Sequence, residues 1–221
     1  MKNKTLTLYS AQVKIGGEEA LFSLLPPDSI KKVMSRRGNR ASTALGELIR
    51  LHMMRVCGAP DEVAARTHGK PYVPSRPDVG FSISHSGRLA VGALLLGDAG
   101  DKCEVGVDVE SIDRENDSRR RRIADRFYTE AERRRIAYAD DKAAEFYLIW
   151  TRKEAVIKYT GEGLSRALSD VDTAEPESIE SVFGCRIYSR IIRDTSGTEY
   201  AFSVSVPSGI DADNIDITKI Y

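Results

Sequence analysis

The segment Gly97–Lys102, GDAGDK, splits the chain into two runs that share one order of elements, and that order most limits the fold. Ahead of it, Thr5–Tyr9 alternates polar and apolar residues at period two, predicting a strand that continues loosely to Ile15. After Pro26-Pro27, Asp28 or Ser29 can cap a short helix through Met34. From Arg40 the apolar positions Ala44, Leu45, Leu48, Leu51 and Met54 recur at helical spacing until Gly58-Ala59-Pro60 stops the run. Another short helix is expected over Asp61–Thr67 with Asp61 at its cap, and the prolines 71, 74 and 77 keep Gly69–Asp78 irregular. Val79–Ser84 and Arg88–Leu96 read as a hairpin closed by a Ser86-Gly87 turn.

Behind the linker the order repeats. Glu104–Glu110 predicts a strand with Val105, Val107 and Val109 on one face. Asp117 or Ser118 starts a helix through Phe127, and Thr129 with Glu132 forms a capping-box pattern. A long helix is expected from about Asp141 to Tyr159, ending at Gly161. Val182–Arg193 and Tyr200–Val206 are strands joined at Ser196-Gly197. Each run is strand, helices, then a small sheet, so the expected fold is α+β with two similar subdomains, 1–100 and 101–221. Residue-level similarity between them is too low to count as a repeat.

Composition narrows the function. In 221 residues, 41% are hydrophobic, ample for a core, and 33 basic residues balance 33 acidic ones. Zero formal charge argues against a coat for nucleic acid. Cys57, Cys103 and Cys185 are odd in number, far apart and free of any CxxC pair, so they read as thiols in a reducing compartment. The N-terminus lacks the apolar stretch of a signal peptide. The longest apolar run, around Leu89–Gly97, falls short of the roughly 20 residues that span a bilayer. The expectation is a cytoplasmic protein without nucleic-acid or membrane partners.

Three segments carry chemistry. Asp108 and Glu110, two apart on a strand, send both carboxylates from one face, opposite the valines. Such a pair is either a solvated face or a site for a hard cation such as Mg²⁺. On the long helix, Trp150, Lys153, Glu154, Ile157 and Lys158 share a mixed face that is odd for a core stripe; its plain alternative is an exposed Glu154–Lys158 ion pair. FSISHSG, Phe81–Gly87, sends Ser82 and Ser84 one way and Phe81 and Ile83 the other, with His85 at the turn. It lacks the glycine two before a serine that a hydrolase elbow needs. Lys70, beside Gly69, is a weak phosphate-binding hint, and no Walker A, dinucleotide fingerprint or HExxH occurs.

The order and spacing of G-K-P (69–71), F-S-I-S-H-S-G (81–87), G-V-D-V-E (106–110), W-T-R-K-E-A-V-I-K (150–158) and G-E-G-L-S (161–165) are specific. Together they resemble the 4′-phosphopantetheinyl transferases of the long, monomeric type that activate nonribosomal peptide and polyketide synthases, over roughly Pro27 to Val206. The resemblance implies a pseudo-dimer of two α+β halves, each a small antiparallel sheet with packed helices, and coenzyme A in the cleft between them. It implies transfer of the phosphopantetheine arm to a serine of an apo acyl or peptidyl carrier protein, releasing adenosine 3′,5′-bisphosphate.

It also implies roles for residues. Asp108, Glu110 and Glu154 become Mg²⁺ ligands; Lys158 lies on the phosphates with Lys153 nearby; and Lys70, Ser84 and His85 hold the nucleotide end. Thr43 falls near the 3′-phosphate, and Lys31 or Lys32 meets the nucleotide. Glu132, after R-F-Y-T-E-A, matches the family's proposed base; its alternative is the capping-box glutamate, and Glu130 stands two residues too early. Glu162 departs from the family pattern, which puts a phosphate contact from that turn in doubt. The Arg119–Arg122 run is a solvated helix face or a dock for an acidic carrier. Two rival classes remain: a non-catalytic carrier-binding module, which predicts a damaged acidic triad, and a Mg²⁺-dependent pyrophosphate hydrolase.

Overall fold

The computed structural model describes residues 4–36, 38–60, 62–163, 168–175, 179–180, 183–212 and 215–221. The elements run β1 (Thr5–Gln12), α1 (Glu18–Ser23), α2 (Pro27–Ser35), α3 (Arg40–Val56), β2 (Ala64–Ala65), β3 (Pro71–Tyr72), β4 (Val79–Ser86) and β5 (Leu89–Leu96). There follow β6 (Gly106–Ser111), α4 (Asp117–Phe127), α5 (Glu130–Tyr138), α6 (Lys142–Thr160), β7 (Cys185–Arg193), β8 (Glu199–Pro207) and β9 (Ile217–Lys219). The molecule is α+β, with one sheet ordered β4-β5-β1-β9 and another ordered β6-β8-β7.

Period-two alternation decides how these layers stack. Along β5, Ala90 and Leu94 join Leu45, Ile49 and Met53 of α3 in one core. The residues between them, Leu89, Val91, Ala93 and Leu95, pack instead with Val105, Val107, Val109, Phe202 and Val204 of the second sheet. The first sheet is therefore buried on both faces, by α3 and by the second sheet. Val105, Val107 and Val109 are all fully buried, as their spacing requires.

α6 covers the other face of the second sheet, where the Thr151 hydroxyl meets that of Ser203 at 2.7 Å. Gly106 lets the helix seat there, because a Cβ at this position would collide with the backbone of Ala155 and Tyr159. The helix begins at Asp141, whose carboxylate accepts from the Ala144 amide. It ends at Gly161, left-handed at φ 73°.

Several elements differ from the sequence reading. The helix expected over Asp61–Thr67 is absent among the described residues, and Asp61 lies outside them; instead Ala64–Ala65 pair antiparallel with Pro71–Tyr72. The chain reverses between them by Arg66 N–H to Lys70 C=O at 2.9 Å and Gly69 N–H to Arg66 C=O at 2.8 Å, local bonds that compete with a helical turn. The first hairpin strand runs two residues further than expected and the second starts one residue later, so the loop is Gly87-Arg88, with Gly87 at φ 57°. α1 and β9 were not foreseen; each is short, and β9 pairs parallel with β1 far away in sequence. Val182, expected to open β7, lies outside the described residues, as do Leu164 and Ser165.

A side chain at Gly106 has nowhere to go but into the α6 backbone. Gly106→Ala should destabilise the fold by about 3 kcal/mol, at the upper end of overpacking costs, as read by urea unfolding. An unchanged midpoint would mean that α6 does not sit on β6 in this way.

Candidate active site

The edge strands β4 and β6 lie side by side and run in the same direction, joined by side chains. The Val107 N–H donates to the Ser82 hydroxyl at 3.1 Å, and the Ser111 N–H donates to the Ser86 hydroxyl at 3.1 Å. Between them the Ser84 hydroxyl donates to Asp108 Oδ1 at 2.7 Å. The serines of SISHS therefore face β6, while Phe81 and Ile83 pack towards α3.

Beside this seam opens a cavity of about 570 Å³, lined by β4, the β2–β3 segment and the helices α2, α3 and α6. Lys32 of α2, Arg36 just beyond its end, and Thr43, Glu47 and Arg50 of α3 form one wall. His68 and Lys70 come from the β2–β3 reversal, His85 from β4, and Glu154 and Lys158 from α6. Its lining carries five Lys or Arg side chains (Lys32, Arg36, Arg50, Lys70 and Lys158) against the acids Glu47 and Glu154. Such a surface suits a polyanion with an apolar part, since Val33, Phe81, Ile83 and Ile157 also line it.

Asp108 is 3% exposed, which excludes the solvated-face reading of the strand. Its Oδ1 also accepts from the Lys158 ammonium at 2.7 Å, while its Oδ2 is buried without a hydrogen-bond partner. Glu110 accepts from the Ser86 hydroxyl at 2.8 Å. Burial, and then repulsion by Asp108, push the Glu110 carboxyl up to about 7, and the same two causes raise Glu154. These three acids have the oxygen chemistry, the crowding and the unpartnered oxygen that a hard cation would relieve. In this structure no group of three His, Cys, Asp or Glu side chains among the described residues is gathered closely enough to hold a metal ion. The ammonium of Lys158 holds Asp108 instead.

The other residues singled out from sequence divide. Lys32 lines the cavity, whereas Lys31 is exposed and pairs with Asp28. Thr43 lines it, donating to the Asn39 carbonyl at 3.0 Å. Desolvation against the wall, then Lys158 and Arg36, hold the His85 imidazole below its usual pKa. Lys70 is buried, and its ammonium is engaged by Glu104 and by the Tyr159 carbonyl at 2.7 Å, where a cation also favours the helix C-terminus.

Lys153 and Glu132 lie elsewhere. Both side chains are 0% exposed and pair at 2.8 Å. Lys153 stands five residues before Lys158, about 140° away around the helix, so it points to the Leu168 and Val171 carbonyls and not to the phosphates' side. Glu132 closes the capping box with Thr129. Its Oε1 accepts from the Thr173 amide at 2.8 Å and hydroxyl at 2.9 Å. With those donors on it and no exposure, this carboxylate does not face the cavity, and the base reading of Glu132 gives way to the cap. In the Arg119–Arg122 run, Arg120 is buried while the other three are exposed.

Arg36, Glu47, Arg50 and His68 were not singled out as site residues. Glu47 and Arg50 were reachable, because they follow Thr43 at four and seven residues on one helix face. Glu47 accepts from Arg50 at 2.8 Å, Lys32 at 3.1 Å and the Ser29 hydroxyl at 2.9 Å. Burial pushes its carboxyl up, but these partners outweigh it and hold the pKa at about 2.

A family model of the 4′-phosphopantetheinyl transferase superfamily matches residues 104–212. A 4′-phosphopantetheinyl transferase of Bacillus subtilis is 38% identical over 103 residues, 46% of this chain and 42% of that protein. Psf-1 of Bacillus pumilus is 35% identical over 133 residues, 58% of this chain and 53% of its own. The matches thus span about half the length of these Bacillus relatives. The 4′-phosphopantetheinyl transferase AcpT of Salmonella typhimurium is 31% identical over 182 residues, 80% of this chain and 86% of its own. The chain belongs to the 4′-phosphopantetheinyl transferase superfamily.

Two outcomes follow for stability. Lys153→Met leaves the Glu132 carboxylate buried without its cation and should cost about 3–5 kcal/mol in urea unfolding; a loss below about 1 kcal/mol, the scale of an exposed pair, would contradict the pairing. Glu47 has a folded pKa near 2 against an ordinary 4.5. Its contribution is therefore fully present above pH 4.5 and is lost as the pH falls towards 2. Glu47→Gln should flatten the acid limb of the stability profile, and an unchanged limb would place the acid sensitivity elsewhere.

Proposed function

We propose that this protein transfers the 4′-phosphopantetheine arm of coenzyme A to a serine of an apo carrier protein, releasing adenosine 3′,5′-bisphosphate. The observation that carries this reading is the cavity: a basic, partly apolar hollow with Glu47 and Glu154 in its wall, and Asp108 held just behind it by Lys158. Family membership and the names of the relatives support the reaction class. The two sheets with their helices are read as similar subdomains, 1–100 and 101–221, apart from β9, which returns to the first sheet, with the cavity as the cleft between them. The carrier is a domain of a nonribosomal peptide or polyketide synthase, and the protein works as a cytoplasmic monomer. No helix among the described residues is long and apolar enough to cross a membrane.

In this reading the serine oxygen bonds to the phosphorus that bears the pantetheine, and the pyrophosphate P–O bond breaks with its electron pair leaving on the adenosine side. Lys32, Thr43 and His85 grip the nucleotide end, and Arg36 adds charge to that wall. Lys70, held by Glu104, shapes the hollow. Lys158 offsets charge on the phosphate oxygens. Asp108, Glu110 and Glu154 would hold Mg²⁺, which when bound neutralises charge on the pyrophosphate. The serine proton must pass to a base. Glu47 is held near 2, far too weak a base, and Glu154 is committed to the metal, so the acceptor in this proposal is water in the cavity, in place of Glu132.

Mass spectrometry of an apo carrier incubated with coenzyme A, Mg²⁺ and this protein should show a gain of one phosphopantetheine. Consumption of coenzyme A with an unmodified carrier would point to a hydrolase, and no turnover to a binding module. Asp108→Ala should remove transfer while the fold persists. Glu132→Gln separates cap from base: it strands the buried Lys153 ammonium, so the melting temperature should fall, while kcat of the folded protein should stay close to wild type. A loss of about 10²–10⁴-fold in kcat, the worth of a general base, measured well below the variant's melting temperature would return that role to Glu132.

A further inference from the structure

The serines of β4 do more than join two strands. Ser86 accepts from the Ser111 amide at 3.1 Å and donates to Glu110 Oε2 at 2.8 Å. An amide can only donate and an ionised carboxylate can only accept, so with Glu110 ionised the hydroxyl proton has one direction available. The β6 backbone thereby orients a hydroxyl on β4, and that hydroxyl aims a carboxylate on β6. Ser84 plays the same part for Asp108, donating to Oδ1 at 2.7 Å from a site only 8% exposed. Ser82 differs: it accepts from the Val107 amide at 3.1 Å, and no carboxylate stands on it.

We propose that Ser84 and Ser86 are positioning residues that orient Asp108 and Glu110 towards a divalent cation, so that Ser84 acts on a carboxylate and not on the nucleotide. The inference rests on the metal reading of these acids given above. A carboxylate carried on a strand has free side-chain torsions. Fixing one oxygen by a hydrogen bond from the neighbouring strand leaves the other aimed. For Asp108 that other oxygen is the buried one without a hydrogen-bond partner. Partners of this outer kind typically change metal affinity about 10–100-fold when removed.

The test is Mn²⁺ titrated into the full chain with coenzyme A present, free Mn²⁺ being read by electron paramagnetic resonance. The wild type should bind saturably. Ser86→Ala and Ser84→Ala should each weaken binding about 10–100-fold, and Ser86→Thr, which keeps the hydroxyl, should restore it. Ser82→Ala removes a seam hydrogen bond without touching a carboxylate, so it should lower the melting temperature and keep wild-type Mn²⁺ affinity. If one alanine variant fails to fold, the other still decides. Wild-type affinity in a folded Ser84→Ala or Ser86→Ala would overturn the inference and leave the proposed function standing. Equal weakening in Ser82→Ala would overturn it in favour of a general loosening of the seam. No saturable binding by the wild type would defeat the metal reading itself, and this inference with it.

Discussion

The structure turns on the way two sheet edges meet. β4 and β6 are both edge strands, and an exposed edge is a row of unpaired amides and carbonyls. Here alternate serines of β4 supply polar partners for the Val107 and Ser111 amides, so β6 meets β4 without joining the other sheet. Each neutral bond is worth only about 0.5–1.5 kcal/mol, and one to a carboxylate about 1.5–3 kcal/mol. Their effect is geometric more than energetic. They fix the register of one sheet on the other, and with it the spacing between α3 and α6 across the cavity.

From that register the site follows. Phe81 and Ile83 take the α3 side of β4, and Gly46 of α3 comes close under the ring of His85, where a Cβ would stand 3.3 Å from Cδ2. Asp108 takes the opposite side of its own strand from the valines and is left buried beside Lys158. Burying an acid beside one cation is costly unless its remaining oxygen is answered. At Asp108 the Oδ2 is the oxygen left without a hydrogen-bond partner.

Much of this was legible in the residues. Val105, Val107 and Val109 announced a buried face, and Asp141 with Gly161 bracketed α6 almost to the residue. Thr129 and Glu132 announced a capping box, which the structure builds. Other features depend on partners remote in sequence, which local patterns do not carry. Glu132 looks like a surface glutamate until Lys153 and Thr173 close on it. Lys70 looks like a phosphate ligand until Glu104, 34 residues on, takes its ammonium. β9 is three residues long and exists because β1 offers it an edge. The short reversal at Arg66–Lys70 defeated a helix expectation built on a cap residue alone.

The cavity beside the β4–β6 seam is proposed to take coenzyme A with its pyrophosphate at the carboxylate end. A crystal structure of the protein soaked with coenzyme A and Mn²⁺, with anomalous differences recorded for the metal, tests that directly. The expected result is the pyrophosphate beside Lys158, a metal peak in contact with Asp108, and the adenosine end between Lys32, Thr43 and His85. A nucleotide lodged instead in the separate hollow near Arg76 and Lys102, or a metal peak remote from Asp108, would contradict it.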